Sequence, residues 1–273
     1  MKNIKIILFS ILTIFIFSIS IHNVYADMGP KPAAYIDITG IEGEYVACFA
    51  VKEEFGPNRF YDGDTTEPSY HPIQSYIDED GYKYLARYFE CVDETRISFT
   101  YYCPDEFKIV IYKDNALYKV TEPLKRYAYS AYYKIDFSTG TINTPEEIKV
   151  AKTYNYGREI LEFLIRVALT LIIEIGLFFL IQVLYTKHNF KVVLLTNIIT
   201  QVLLNAILNI NSFYLGKLDS ILLLFIMEII VLVIELVSYN MFMKDKNKFV
   251  INVYTVFANV LSFGLGLILL LFV

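Results

Sequence analysis

Residues 160–185 read ILEFLIRVALTLIIEIGLFFLIQVLY, an apolar run interrupted by a few charged side chains. A helix rises about 1.5 Å per residue, so roughly 20 mostly apolar residues cross the hydrocarbon core of a bilayer. Three further runs of this kind follow, at 192–215, 221–242 and 249–273. Because the connections between them are short, we predict an α-helical four-transmembrane bundle over residues 159–273, with antiparallel neighbours.

The connections between these runs differ in their basic residues. The first and third connections carry Lys187, Lys191, Lys244, Lys246 and Lys248. The second carries Lys217, which Asp219 balances. Lysines in short connections favour the cytoplasmic side, so we predict that the chain before the first run and the C-terminal Val273 are extracytoplasmic.

Each apolar run also carries polar side chains at helical spacing, and such groups usually face the interior of a bundle. We predict an intramembrane polar site that contains Glu174, Gln201, Asn205, Glu228 and Asn259, which fall near the bilayer midplane, and Glu235, which follows Glu228 on nearly the same helix face. Glu162 and Arg166 lie closer to the outer end. Their i, i+4 spacing predicts a structural ion pair.

Two interpretations of the intramembrane site are open. In the first, the carboxylates and amides bind or relay a small cation or a proton, because intramembrane ionisable residues usually mark function. In the second, Glu174, Glu228 and Glu235 are neutral and hydrogen-bond to facing Asn and Gln side chains, which would hold the helices together.

The chain before the bundle indicates export. Residues 1–26 have the layout of a signal peptide: Lys2 and Lys5, an apolar run, and small residues before Asp27. Residues 27–140 are acidic and rich in Tyr, with enough apolar residues to form a core. We predict an exported all-β domain there, and the acidic balance argues against nucleic acid as a partner.

Short, often alternating segments predict seven strands in this domain, at 35–39, 44–51, 82–90, 96–102, 107–112, 116–120 and 131–137. Turn residues such as Asp114 and Asn115 separate them. We predict an antiparallel β-sandwich, Ig-like or similar, with a partly closed barrel as the alternative. Residues 141–158 carry a Pro and two Glu after Asn and Thr, a helix-start pattern that predicts a helical stalk.

Ligand and disulfide signals in the exported part are weak. Residues 55–75 form the longest segment without strand character, and Asp62, Asp64, Asp78 and Asp80 lack the spacing of a calcium loop. Cys48, Cys91 and Cys103 allow at most one disulfide within the chain. In the simplest hairpin Cys91 faces Arg96, so a bridge to Cys103 is not favoured by register.

Catalytic motifs are absent from the sequence. There is no HExxH, CxxC, GxSxG or Gly-rich phosphate loop, and the three histidines fall in separate segments. We predict no cofactor, no metal centre and no enzyme activity, with a membrane-bound hydrolase as the minor alternative.

Four stretches resemble a set of bacterial multi-pass membrane proteins without an assigned activity: DMGPKP at 27–32, TYYCPDEFKIVIY at 100–112, RYAYSAYYKID at 126–136 and TNIITQVLLN at 196–205. The resemblance implies a signal peptide, an exported β-rich domain and several membrane helices in a bacterial plasma membrane. It implies no catalytic residues.

Two functional hypotheses follow. In the first, the exported domain binds a ligand or an envelope partner, and the bundle responds to it or translocates a small cation or proton. Since four helices are few for a transporter, this hypothesis calls for a homo-oligomer or another membrane protein. In the alternative, the bundle is a structural anchor in the lipid bilayer, and the exported domain is a scaffold for envelope proteins.

Overall fold

The protein is described here from a computed structural model, which covers residues 31–54, 58, 60, 71–244 and 246–272. The predicted signal peptide at 1–26, together with Asp62 and Asp64, lies outside these described residues. The chain divides into two compact units. One is β-rich and contains the described residues up to Gly157 together with Ser212–Gly216. The other is mainly helical and contains the described residues of Arg158–Asn211 and of the segment from Lys217 to the end of the last helix.

The β-rich unit contains two sheets within the described residues. The first has the strand order β4-β1-β8-β9, and the second has the order β3-β2-β5-β6, with β7 pairing with β5. The strands are β1 (Ala33–Thr39), β2 (Glu44–Val51), β3 (Lys83–Val92), β4 (Thr95–Phe99), β5 (Glu106–Lys113), β6 (Ala116–Val120), β7 (Leu124–Lys125), β8 (Ser130–Asp136) and β9 (Lys149–Lys152). All seven predicted strands are therefore confirmed, and β7 and β9 are additional.

One apolar core joins the two sheets. Ile36 of β1 and Ile135 of β8 belong to the same buried cluster as Phe49 of β2 and Ile109 of β5. The rings of Phe49 and Phe99 lie 5.3 Å apart, so they link the second sheet to the first. Alternating inward residues from both sheets form a shared core, which is the packing of a β-sandwich.

The pairing differs from the prediction in two places. β1 pairs with β8 in parallel, with Ile36 opposite Tyr133, whereas we expected antiparallel neighbours throughout. The connection between these strands contains the whole second sheet, which is long enough for a parallel crossover. In addition, β3 and β4 lie in different sheets, so Cys91 pairs with Tyr45 of β2 and not with Arg96 of β4.

The predicted helical stalk at 141–158 is wrong. Pro145–Glu147 forms a single 3-10 turn, and Lys149–Lys152 forms β9, antiparallel to β8. The Pro and Glu pattern did start a helical turn, but pairing with the free edge of β8 replaced its continuation. Backbone hydrogen bonds to a neighbouring strand here outweigh a weak local preference for helix.

The predicted turn residues lie at positions where the backbone has positive φ. Asp114 and Asn115 have φ of 54° and 59° between β5 and β6. Positive φ at both central residues defines the two-residue hairpin turn that Asp and Asn favour. Gly40 has φ of 79°, and a Cβ there would lie 2.4 Å from the Ser138 amide nitrogen, so this position requires glycine.

The segment after the undescribed residues 61–70 covers the outer face of the second sheet. Ile73, in the 3-10 turn Pro72–Ser75, and Tyr76 pack with Cys48 of β2 and Val110 of β5 in a second apolar cluster. β2 is therefore buried on both faces, which explains its nearly continuous apolar sequence.

Within the residues that the structure describes, the helical unit contains four helices, all of them long and apolar enough to span a membrane. They are α1 (Tyr156–Leu180), α2 (Lys187–Leu215), α3 (Lys217–Phe242) and α4 (Lys248–Phe272). Large apolar side chains such as Ile172, Leu195 and Val260 are exposed on the outside. An apolar exterior around a polar interior is the surface that a bilayer accepts, so the helices are compatible with a multi-pass membrane protein.

The helices alternate in direction. Asn189, in the first turn of α2, donates to the backbone oxygens of Leu184 and Lys244 and accepts from the Lys244 amide. The connection between α1 and α2 therefore meets the connection between α3 and α4 at one end of the bundle. We call this the lysine end, and the end at which α1 begins the α1-start end. The side of the membrane that each end faces stays a prediction.

Candidate functional site

Glu235 lies at the centre of the bundle interior and contacts two other helices. It is 1% exposed. Its Oε2 accepts from the Asn259 side-chain amide of α4 at 2.7 Å, and its Oε1 lies 3.0 Å from the Thr200 hydroxyl of α2. A buried carboxyl with such partners is satisfied by hydrogen bonds from both sides.

The Thr200 hydroxyl has one hydrogen to donate and lies near three possible acceptor oxygens. Its oxygen lies 3.0 Å from the Glu235 carboxyl, 3.1 Å from the Thr196 carbonyl oxygen and 3.2 Å from the Asn197 carbonyl oxygen. A hydroxyl donates one hydrogen and can accept others. If Glu235 is ionised, Thr200 donates to it. If Glu235 holds a proton, it donates to Thr200, and Thr200 donates to its own helix. Both protonation states of Glu235 thus fit the same geometry.

Glu174 of α1 is fully buried, yet neither of its carboxyl oxygens has a hydrogen-bond partner among the described residues. It interacts electrostatically with Glu235 and Glu228. The nearby Ser262 hydroxyl is within reach of a weak hydrogen bond to the Glu174 carboxyl, but its hydrogen bond of ordinary geometry, at 3.1 Å, is to the Asn259 carbonyl oxygen. The side-chain oxygen of Asn259 is likewise buried without a partner among the described residues. In the described part of the bundle, three buried oxygen acceptors of this region therefore lack a donor of ordinary hydrogen-bond geometry.

Aromatic side chains close the site toward the lysine end. Phe178, Tyr239 and Tyr254 are at most 1% exposed, and the Tyr254 ring lies 6.0 Å from each of the other two rings. The Tyr254 hydroxyl donates to the Glu174 backbone oxygen at 3.0 Å, and the Tyr239 hydroxyl donates to the Asn197 side-chain oxygen at 3.1 Å. These contacts fix the rings, so the aromatic cluster seals this side of the site.

A second polar group surrounds a small cavity toward the α1-start end. The cavity has a volume of about 20 Å³, and its polar or small lining residues are Arg166, Thr170, Gln201, Asn205, Glu228 and Gly266. The Gln201 amide nitrogen and the Glu228 Oε2 are buried without partners among the described residues. A volume of roughly 10–15 Å³ accommodates one water molecule, so this cavity is large enough for one.

The predicted ion pair between Glu162 and Arg166 takes a different form. Glu162 pairs with Arg158, with 2.7 Å between Oε1 and Nε. Arg166 donates to the side-chain oxygens of Asn205, at 3.1 Å, and Asn209. The side-chain oxygens of Asn205 and Asn209 lie on α2 at the depth of Arg166, and by accepting from its guanidinium they hold it toward the interior of the bundle.

The six predicted site residues thus fall into two neighbouring groups. Glu174, Glu235 and Asn259 form what we call the carboxyl pair site, and Gln201, Asn205 and Glu228 line the cavity. The prediction missed Thr200 and Tyr254 as members of the site. Thr200 lies beside Gln201 in the polar stripe and was a detectable candidate, but tyrosine in an apolar run gives no signal that distinguishes a site residue from core.

The charge of the interior limits what the site can hold. Glu174, Glu228 and Glu235 bring three carboxyls into the interior. Arg166 lines the same cavity as Glu228, but the carboxylates that act on its guanidinium are Glu162 and Glu159. Among the described residues, no group of three or more His, Cys, Asp and Glu side chains is placed to hold a metal ion. Oxygen acceptors without donors suit a proton or a monovalent cation, and they do not suit an anion.

The β-rich unit has a depression of its own. It has a volume of about 690 Å³ and is lined by charged and aromatic residues, among them Glu44, His71, Glu90, Tyr112, Lys113 and Asp114. This volume lies within the range of about 300–1,000 Å³ that is usual for small-molecule sites.

Asp78 and Asp80, which lack the spacing of a calcium loop, have a basic partner in the structure. Asp78 and Asp80 accept from the Lys108 ammonium group at 2.7 and 2.9 Å, so a basic residue already neutralises them.

The three cysteines form no disulfide with one another. Cys48, Cys91 and Cys103 are all free and buried.

No protein-family model, no curated protein and no solved structure matches this chain. Function is therefore inferred from the geometry of the two units.

Proposed function

We propose that the helical bundle takes up a proton or a small monovalent cation at the carboxyl pair site. The observation that carries this proposal is that two buried carboxyls interact electrostatically but differ in their hydrogen bonding. Glu235 has the Thr200 hydroxyl and the Asn259 amide, whereas neither oxygen of Glu174 has a hydrogen bond of ordinary geometry to any of the described residues. An isolated charge is expensive to bury, so a proton or cation at Glu174 would remove a large penalty.

We further propose that the β-rich unit is exported, binds a ligand or an envelope partner in a bacterial plasma membrane, and communicates with the bundle. The signal-peptide pattern and the lysine distribution support this orientation, and the depression of about 690 Å³ offers a surface of suitable size. The function would then be sensing or translocation of the proton or cation.

A structural anchor is the second candidate. Its support is that the Glu235 hydrogen bonds join α2, α3 and α4, which is what interhelical attachment requires. In that case Glu174 and Glu235 would be permanently neutral, and the bundle would serve assembly with no titrating group.

Thermal unfolding in mild detergent separates the two candidates. We would titrate sodium, potassium and pH for the wild type, for Glu174→Gln and for Glu162→Gln, the last being a matched control at the helix start. A bound cation stabilises the native state in proportion to the logarithm of its concentration. We expect the wild type and Glu162→Gln to respond to a cation or to pH, and Glu174→Gln to lose that response. An equal response in all three proteins would favour the anchor.

A further inference from the structure

The cavity beside Arg166 lies between the carboxyl pair site and the α1-start end of the bundle. We propose that this cavity holds a water molecule and is the port through which the carboxyl pair site exchanges its proton or cation. This inference rests on the function proposed above and adds the side of access to it. The opposite side is sealed by the cluster of Phe178, Tyr239 and Tyr254.

The polar side chains of α1 mark the direction of the port. At steps of four residues, Arg158 is exposed, Glu162 and Arg166 are half-buried, Thr170 is 7% exposed and Glu174 is fully buried. Each i, i+4 step turns about 40° around a helix, so this row of side chains spirals from the exposed surface at Arg158 into the interior at Glu174. The row passes the cavity at Arg166 and Thr170, so polar side chains follow one another from the α1-start end to the Glu174 carboxyl.

The cavity contains one buried donor and one buried acceptor that a water molecule could bridge. Gln201 is 1% exposed, and its amide nitrogen is a donor without an acceptor, whereas Glu228 Oε2 is an acceptor without a donor. One water molecule can accept from the first and donate to the second, which is the usual role of buried water. Glu228 also interacts electrostatically with Glu235, so the cavity and the carboxyl pair site are coupled.

Gly266 offers a way to close the port. It lines the cavity, and a Cβ added there would meet no atom within 4 Å. Gly264 is a matched control, because it lies on the same helix and has the same free space but does not line the cavity. Replacing either glycine by leucine adds comparable apolar volume to α4.

The test measures access directly, with the silver ion as a probe close to water in size. Full-length Thr170→Cys and Ala258→Cys proteins would be exposed to silver nitrate in detergent, unfolded and treated with a maleimide, and mass spectrometry of peptides would report modification of the engineered thiol. Ala258 is 1% exposed and belongs to the apolar cluster near the lysine end. We expect silver to protect Cys at 170 roughly tenfold faster than Cys at 258, since the latter requires local opening of the bundle.

Closing the port should reduce this difference in rate. In the Thr170→Cys background, Gly266→Leu should slow silver protection severalfold, whereas Gly264→Leu should leave it unchanged. If Gly266→Leu does not fold, Gly266→Ala provides a smaller obstruction with the same expected direction. Equal rates at 170 and 258, or equal effects of the two glycine substitutions, would overturn the port. Silver access does not depend on titration of Glu174, so the port and the proposed function can fail separately.

Discussion

Asn259 on α4 donates its side-chain amide to Oε2 of Glu235 on α3 at 2.7 Å, while its own side-chain oxygen is buried and has no partner in the described part of the chain. The amide therefore presents a donor to one carboxyl and an unused acceptor to its surroundings near Ser262. An amide in this position can stabilise an ionised Glu235 and contribute an oxygen ligand at the same time.

The Thr200 hydroxyl can donate to Glu235 or accept from it, so we expect this hydroxyl to contribute more to the stability of the bundle than the volume of the side chain does. Thr200→Val preserves the side-chain volume and removes the hydroxyl, whereas Thr200→Ser keeps the hydroxyl. We expect Thr200→Val to lower the free energy of unfolding by about 1–3 kcal/mol, because a buried carboxyl oxygen loses a partner. Thr200→Ser should cost clearly less. Detergent or chemical unfolding of both variants checks this, and equal losses would mean that packing alone explains the position.

The three thiols should be inert in the folded protein. Cys48, Cys91 and Cys103 are buried, and burial raises the pKa of Cys91 to about 11 and of Cys103 to about 12. The thiolate is the reactive form, so a maleimide at neutral pH should not modify the native protein. After unfolding, without any reductant, mass spectrometry should find three modified thiols. Two fewer would indicate a disulfide and contradict the geometry.

Lys108 should be essential to the stability of the β-rich unit. Its ammonium group lies 2.7 Å from Asp78, and side-chain exposure is 10% for Lys108 and 17% for Asp78. Lys108→Met leaves a largely buried carboxylate without its cation, which should cost about 3 kcal/mol. The control Lys113→Met removes an exposed hydrogen bond to the Glu42 backbone oxygen and should change stability by less than about 0.5 kcal/mol. Similar losses for the two variants would contradict the assigned role of the Asp78 contact.

His71 should make the β-rich unit less stable in mild acid. Its Nδ1 accepts from the Ile73 amide at 3.2 Å, and desolvation holds the pKa of His71 below its usual value, with Glu90 opposing the shift. The unfolded chain therefore binds a proton at a higher pH than the native state does. By linkage, stability falls as the pH drops below about 6.5.

His71→Asn keeps an acceptor for the Ile73 amide but does not titrate. We expect the difference in urea unfolding midpoint between wild type and variant to change in favour of the variant as the pH falls from about 7.5 to about 5.5. Tyrosine fluorescence is a suitable signal, since the chain has no tryptophan. A constant difference over this range would show that His71 does not contribute to the pH dependence.

The elements with a strong local signal could be predicted from the sequence. Four membrane-length helices and seven strands follow from apolar runs, alternation and turn residues such as Asp114 and Asn115. Pairing could not be predicted in the same way. The parallel contact of β1 with β8 and the strand at Lys149–Lys152 depend on chain segments that are distant or only weakly strand-like.

That these polar side chains face the interior of the bundle was predictable from helical spacing, but their hydrogen-bond partners were not. The i, i+4 rule favoured Glu162 for Arg166, whereas the bundle offers Asn205 and Asn209 at the same depth. The separation into a carboxyl pair site and a cavity also depends on how the helices rotate against each other. Spacing within one helix does not contain that information.

The most direct test of the central claim is the infrared spectrum of the carboxyl groups in the membrane-embedded protein. Difference spectra would be recorded across the pH range in which the bundle stays folded, with sodium or with choline as the cation, for the wild type, Glu174→Gln and Glu235→Gln. If the carboxyl pair site takes up a proton or a monovalent cation, the wild type should show a protonated-carboxyl band that disappears as pH or sodium rises, and Glu174→Gln should lack this change. A wild-type carboxyl band that is present at every pH and unaffected by sodium would contradict the proposal and identify the two glutamates as fixed structural contacts.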